Sequence, residues 1–317
     1  MNIGSVGAFL EGLFDYAGLF PPASLPLAES VRRYAAYQRS DDAWMLGRFV
    51  VPAARLNELE PHLSLFSEDH PLSCAALGRK SEDEAECLAG LRADLTQIQD
   101  FCERYADIAD IGVLELPLPS AAPPANGLLE AIAAEVQRQG MELFCEAAYP
   151  FSPDWRRQMT VALDAIAAYN ASEGKIMTIG LKFRTGGLHA AAFPSPAELA
   201  FVLAGCRDRR IPLKFTAGLH HPIRMYRSEV ETRMHGFVNV FTAGMLAHER
   251  NAGEELIEQI LADEDSASFS FTADGLAWRD LSLSAPAIAR LRGALLRSYG
   301  TCSFDEPRDD LRALHIL

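Results

Sequence analysis

The chain has 317 residues, 49% of them hydrophobic and 23% charged, with a formal net charge of −14. These are ordinary globular proportions, and the length fits one barrel with insertions, for which about 250 residues is typical. The acidic balance, with no lysine or arginine cluster, excludes nucleic acid as an expected partner; the absence of any run of eighteen apolar residues excludes a membrane span.

Met1 to Leu13 lacks the basic and apolar regions of a secretory leader, so the expected location is cytoplasmic. The six cysteines, Cys74, Cys87, Cys102, Cys145, Cys206 and Cys302, are scattered without C-x-x-C spacing, which argues against a disulfide framework and for reduced, buried thiols.

In chain order, the aromatic, turn-forming segment from Asp15 through Tyr16, Phe20, Pro21 and Pro22 comes first, ahead of a helix around Ala28 to Tyr37. It reads as an N-terminal extension covering residues 1–40 that closes the bottom of the domain, the alternative being a cap over the pocket. Beyond it, short β-rich runs alternate with helical patterns. The expected strands are Trp44 to Val51, Leu72 to Leu77, Ile111 to Leu116, Met141 to Ala147, Ile176 to Arg184, Ile211 to Thr216, Gly236 to Thr242 and Phe269 to Thr272. The expected helices are Glu82 to Tyr105, Asn126 to Gln139, Asp154 to Tyr169, Ser195 to Cys206, Gly244 to Ala262 and Ala285 to Ser298. Ser195-Pro196 reads as an N-cap followed by proline at the first helical position. After the last strand, Asp274-Gly275 reads as the turn of a hairpin. Eight strand–helix repeats predict an α/β fold, a single (β/α)8 TIM barrel with an N-terminal extension, rather than an open doubly wound sheet.

The strongest signal is an internal echo. Leu181-Lys182-Phe183-Arg184-Thr185-Gly186 and Leu213-Lys214-Phe215-Thr216-Ala217-Gly218 each carry a lysine four residues before a glycine. Strand alternation puts Gly180, Lys182 and Arg184 on one face and Ile179, Leu181 and Phe183 on the other; Pro212, Lys214 and Thr216 share the equivalent inward face. Lysine occurs only at Lys80, Lys175, Lys182 and Lys214, so arginine supplies the other 25 of 29 basic residues. A chain that otherwise writes arginine keeps lysine at two matching inward positions, as expected where a proton must come off. Two adjacent cations are expected to depress each other's pKa, which makes an amine competent as a nucleophile or base. The competing reading is a pair of strand-end lysines neutralised by carboxylates.

These segments resemble the paired lysine motifs, K-T-S-T-G and K-x-[SA]-G-G, of class I aldolases of the deoxyribose-phosphate aldolase type. The resemblance implies that Lys182 forms a Schiff base, Lys214 tunes it, and an acid on an earlier strand, here Glu115, moves protons. In that family the lysines lie on strands six and seven, whereas the strands counted above make them fifth and sixth. The family also carries aspartate where this chain has Glu115, and its phosphate-binding glycine loops have no convincing match in Phe241 to Gly244 or Thr272 to Leu276. Separately, Asp15 to Ala23 resembles a set of bacterial proteins of no assigned activity, which implies no chemistry.

The expected site is therefore Lys182, Lys214, Glu115 and Glu146 as catalytic groups, with Arg184, Thr216, Asn239 and His220 binding substrate. Arg184 either clamps an anionic group or pairs with Glu115 or Glu146. Asn239 is placed inward on the seventh strand. No cofactor and no metal are expected, and the partner is a small anionic substrate bearing a carbonyl; a homo-oligomer is left open. Two other functions compete: a metal-assisted hydrolase or isomerase using His220, His235 and Glu146, and a non-catalytic barrel that binds a small anion.

Overall fold

A computed structural model describes residues 4–119, 123–124 and 126–317. Eight parallel strands close into a barrel: β1 (Phe14–Tyr16), β2 (Leu46–Pro52), β3 (Leu72–Leu77), β4 (Ala109–Pro117), β5 (Glu142–Glu146), β6 (Ile179–Arg184), β7 (Leu213–Thr216) and β8 (Leu296–Thr301). Closure is made by β1, which pairs with β2 on one side and with β8 on the other in the register Phe14↔Tyr299, Asp15↔Gly300 and Tyr16↔Thr301. Helices Leu27–Tyr37, Glu84–Tyr105, Asn126–Val136, Trp155–Ala171, Pro196–Arg209, Phe237–Arg250 and Asp305–Ala313 follow strands in turn. The fold is a (β/α)8 TIM barrel.

Strand alternation divides the core in two. Outward side chains such as Phe49, Leu114, Leu181, Phe215 and Tyr299 join the large layer shared with the helices. Inside the barrel, Val50, Ala75, Val113 and Phe144 form a small separate cluster. The interior on the β6, β7 and β1 side holds Lys182, Lys214 and Asp15 instead of the branched apolar residues that ordinarily fill such a barrel. One side of the barrel is thus packed with hydrocarbon and the other with ions.

Most of the expected helices are present with small shifts at their ends, but Gly244 to Ala262 is divided between two helices, Phe237–Arg250 and Glu254–Ala262, broken where Asn251 turns left-handed, and Ala285 to Ser298 stops at Ala294. Ser195 caps its helix as anticipated, and a reciprocal bond from Ser195 N–H to Glu198 completes a capping box.

Both ends of the strand count need correction. The first barrel strand is Phe14–Tyr16, within the segment read as an extension; the three residues are too short for a period-two pattern to register. Ala17 and Phe20 then lie at the C-terminal side of β1, packed on the inner cluster, so this segment closes the top of the barrel and not its bottom. Gly236 to Thr242, read as the seventh strand, is the start of helix Phe237–Arg250, with every residue from Phe237 to Ala247 buried. A run buried on every side, Asn239 and Thr242 included, has no solvent-facing stripe to reveal its period, so β-branched content misled the assignment. Phe269–Phe271 belongs to a three-stranded antiparallel sheet with Gly275–Trp278 and Leu281–Ser284, outside the barrel. The hairpin turn at Asp274-Gly275 is therefore present, but not in the barrel. The eighth strand is Leu296–Thr301, whose first half, through Ser298, was expected as the end of the last helix. These errors offset one another in number, and the lysine strands are the sixth and seventh.

Candidate active site

Lys182 on β6 and Lys214 on β7 are direct partners in the strand register, so they sit level inside the barrel. Each ammonium group touches two carboxylates. Lys182 Nζ lies 2.6 Å from Glu115 Oε2 and 2.9 Å from Glu146 Oε2. Lys214 Nζ lies 2.6 Å from Glu115 Oε1 and 2.8 Å from Asp15 Oδ2. Glu115, on β4, thus bridges both lysines with its two oxygens. Arg184 extends the chain upward, 3.3 Å from Glu146 Oε1, with 47% of its side chain exposed, while the other five groups are buried. The result is an alternating series, Asp15, Lys214, Glu115, Lys182, Glu146, Arg184, whose ionised charges cancel.

Asp15 was not anticipated from sequence. It is held by two donors, the Arg48 N–H to Oδ1 at 2.6 Å and the Ser298 hydroxyl to Oδ2 at 2.6 Å. A Cβ on Gly47 would fall 2.3 Å from Asp15 Oδ1, so that glycine leaves the space the carboxylate occupies. An acid between two apolar aromatics, Phe14 and Tyr16, was the available signal: in a strand, such an acid faces away from the core its neighbours enter.

The ion pairs reverse the expected lysine behaviour. Burial disfavours a charge on Lys182, but Glu115 and Glu146 outweigh it and hold the pKa above its ordinary value. Burial likewise opposes the charge on Lys214, and Asp15 and Glu115 outweigh it to raise that pKa too. Depression by mutual repulsion does not occur because each cation faces two anions before it faces the other cation. The alternative of carboxylate-neutralised lysines describes the resting site, although the lysines are buried and not snorkelling. Glu115 is pulled down to about 2, since the two lysines together overcome the burial that would raise it. Glu146 is also lowered, by Lys182 and Arg184 against burial.

The repeated glycines have a steric origin. Gly186 and Gly218 end β6 and β7 with their backbones in contact: a Cβ on Gly218 would lie 2.7 Å from Gly186 Cα, and one on Gly186 would lie 2.4 Å from the Phe193 ring. Gly218 also has φ +76°, following Ala217 at φ +59°. The Thr185 hydroxyl donates to the Ala217 carbonyl and locks the two turns together. Gly218→Ala should therefore lower stability by more than about 1 kcal/mol, from left-handed strain plus overlap. Urea denaturation of the variant would measure it, and an unchanged midpoint would contradict the packing argument.

The remaining expected residues divide. Thr216 faces the barrel interior opposite Gly300 of β8, where a Cβ would lie 3.4 Å from its hydroxyl. Asn239 is a correction: lying on a helix, its amide donates to the Ile260 and Asp263 carbonyls and accepts from the Arg224 N–H, so it ties a loop to a helix end away from the ions. His220 and His221, after β7, turn to the helix Asp305–Ala313, where His220 Nδ1 meets Glu306 at 3.1 Å and His221 Nδ1 meets Asp310 at 2.5 Å. His235 is buried with Nε2 2.7 Å from the Pro194 carbonyl and Nδ1 3.2 Å from Arg224. Among the described residues no group of three or more His, Cys, Asp or Glu side chains is arranged to hold a metal ion, so His220, His235 and Glu146 do not converge.

Burial opposes a charge on His220, but Cys302 and Glu306 outweigh it and raise its pKa from 6.5 to about 9. Its contribution to docking the last helix is therefore full below pH 6.5 and is lost as pH rises through about 9. Amide exchange in residues 305–313 should accelerate across that window, and His220→Ala should remove the pH dependence.

No protein-family model matches the sequence, and no curated protein matches it. Among solved structures, the catalytic module of a family 98 glycoside hydrolase from Streptococcus pneumoniae, in complex with a Lewis Y pentasaccharide, aligns with a TM-score of 0.39 at 8% identity, covering 69% of this chain and 38% of that one. Among the described residues no helix is long and apolar enough to cross a membrane.

Proposed function

We propose that the protein is a lyase of aldolase type in which Lys182 forms an imine with the carbonyl of a small anionic substrate. The observation that carries this reading is the buried lysine held between two carboxylates, level with a second lysine. The position of the two lysines on strands six and seven agrees with the resemblance to class I aldolases of the deoxyribose-phosphate type. An iminium ion keeps a positive charge on the same nitrogen, so Glu115 and Glu146, already positioned for a cation, would stabilise it without rearrangement.

The resting ammonium must first lose a proton, and Glu146 is in contact to receive it. The free amine then adds to the substrate carbonyl; Glu146 returns the proton to the carbinolamine oxygen, which leaves as water. In cleavage, a carboxylate takes the proton of the substrate hydroxyl, the carbon–carbon bond breaks, and its electron pair moves into the iminium to give an enamine. Lys214, in contact with Glu115, is the nearest proton reserve for its reprotonation. Arg184 at the exposed end would clamp a carboxylate or phosphate of the substrate once displaced from Glu146.

Incubation with a panel of aldehydes and 2-oxo acids, followed by borohydride reduction and peptide mass spectrometry, tests the reading. The expected product is a stable adduct on Lys182, with a yield that climbs with pH as the amine fraction grows. If no carbonyl compound labels Lys182 or Lys214, the imine mechanism fails. The raised lysine pKa values favour one other reading, an isomerase in which Glu146 removes a proton and a lysine ammonium polarises the carbonyl without a covalent bond. It would exchange a substrate proton with solvent deuterium and leave nothing for borohydride to trap.

A further inference from the structure

A cavity of about 650 Å³ opens at the opposite, N-terminal mouth of the barrel and reaches up to Asp15 and Lys214. Its walls come from the first residues of the strands, among them Gly47, Arg48, Ser73 and Ser298, and its outer rim from Ala289 and Gly293 on the helix Ala285–Ala294. Lys182, although level with Lys214, is not part of this wall. The reason is Phe144. Its ring lies over Gly180, one pleat below Lys182, so closely that a Cβ there would come within 2.5 Å of it. Phe144 thus forms a floor under Lys182; it also approaches Lys214, whose Nζ lies 5.9 Å from the ring centroid, but beside Lys214 the wall continues through Asp15 and Ser298, and polar atoms lead on to solvent.

We infer that the lower cavity is a water-filled vestibule through which Lys214 and Asp15 exchange protons with bulk solvent, separately from the upper mouth at which Arg184 is exposed. Contacts of 3.3 Å or less then join that vestibule to Arg184 through Lys214, Glu115, Lys182 and Glu146. A proton arriving from below reaches Glu115 without passing whatever occupies the upper mouth. The inference concerns the ion chain itself and holds whether or not Lys182 forms an imine, so a failed borohydride experiment leaves it untouched.

With only four lysines in the chain, the ammonium groups of ¹⁵N-lysine-labelled protein can be followed individually by NMR. Gly293→Trp plugs the rim of the vestibule at a position where an added Cβ meets nothing within 4 Å; Ala289→Trp, an exposed site on the same helix, is the second variant. Either should slow hydrogen exchange at Lys214 Nζ about tenfold, because exchange must then wait for a local opening, and should leave Lys182 unchanged. Phe144→Ala removes the floor and should speed exchange at Lys182 far more than at Lys214, which the vestibule already reaches. Unaltered Lys214 exchange in both folded tryptophan variants, or equal slowing of the two lysines, overturns the proposal.

Discussion

Glu115→Gln should lower stability by about 3–5 kcal/mol at neutral pH, the range for breaking a buried ion pair by removing one partner. Glutamine keeps the shape of the side chain but leaves two buried ammonium groups with one carboxylate each. Lys214 retains Asp15 and Lys182 retains Glu146, but the anion that screened them from one another is gone. No discount for solvent applies, since both lysines and Glu115 are within a few percent of fully buried.

The pH dependence follows from the direction of each shift. Glu115 has a folded pKa of about 2, below its ordinary 4.5, so its contribution is full above about 4.5 and is lost as pH falls through about 2. The lysine pKa values lie above 10.5, so their contribution is full below that value and is lost as pH rises through the folded values. The deficit of Glu115→Gln should therefore be flat between those limits and narrow on both sides. Urea denaturation at a series of pH values measures it; a deficit under about 1 kcal/mol, the size of an exposed pair, would show that Glu115 does not bridge the lysines in solution.

Lys182→Met should abolish turnover and lower stability by a similar amount, about 3–5 kcal/mol, with the opposite response to acid. Methionine fills the space of the lysine stem, but Glu115 and Glu146 lose the cation between them. Glu115 keeps Lys214, while Glu146 keeps only the half-exposed Arg184. The carboxylate pKa values should rise above the ordinary range, and protonation of one relieves the repulsion. On acidification from about pH 8 to about pH 5 the variant should gain stability relative to the wild type, whereas Glu115→Gln shows no gain over the same interval. If both variants respond to pH alike, the charges do not form the alternating series described.

How much of this was legible beforehand depends on which contacts decide each feature. Repetition of strand and helix, together with chain length, was enough for the barrel. Period-two alternation was enough to put Lys182, Lys214, Glu115, Glu146 and Arg184 on inward faces, because a strand's facing is a local property. The equal spacing of the lysines to Gly186 and Gly218 placed them level, and the contact between those glycines gives that spacing its cause.

Three things lay beyond local pattern. The ends of the barrel were misassigned because Phe14–Tyr16 is too short to show a period, because Leu296–Thr301 follows its helix almost without a break, and because the buried helix at Phe237 has no solvent-facing stripe over its buried run. The role of Asp15 depends on closure, which brings β1 beside β8 and places its carboxylate across the barrel interior against a lysine about two hundred residues away in sequence. The charge state of the lysines was expected from their nearness to each other and came out reversed. Sequence fixes which ionisable groups face inward, but a pKa responds to the sum of the neighbours. Only the closed barrel sets three carboxylates against two lysines, and at that ratio attraction outweighs both repulsion and burial.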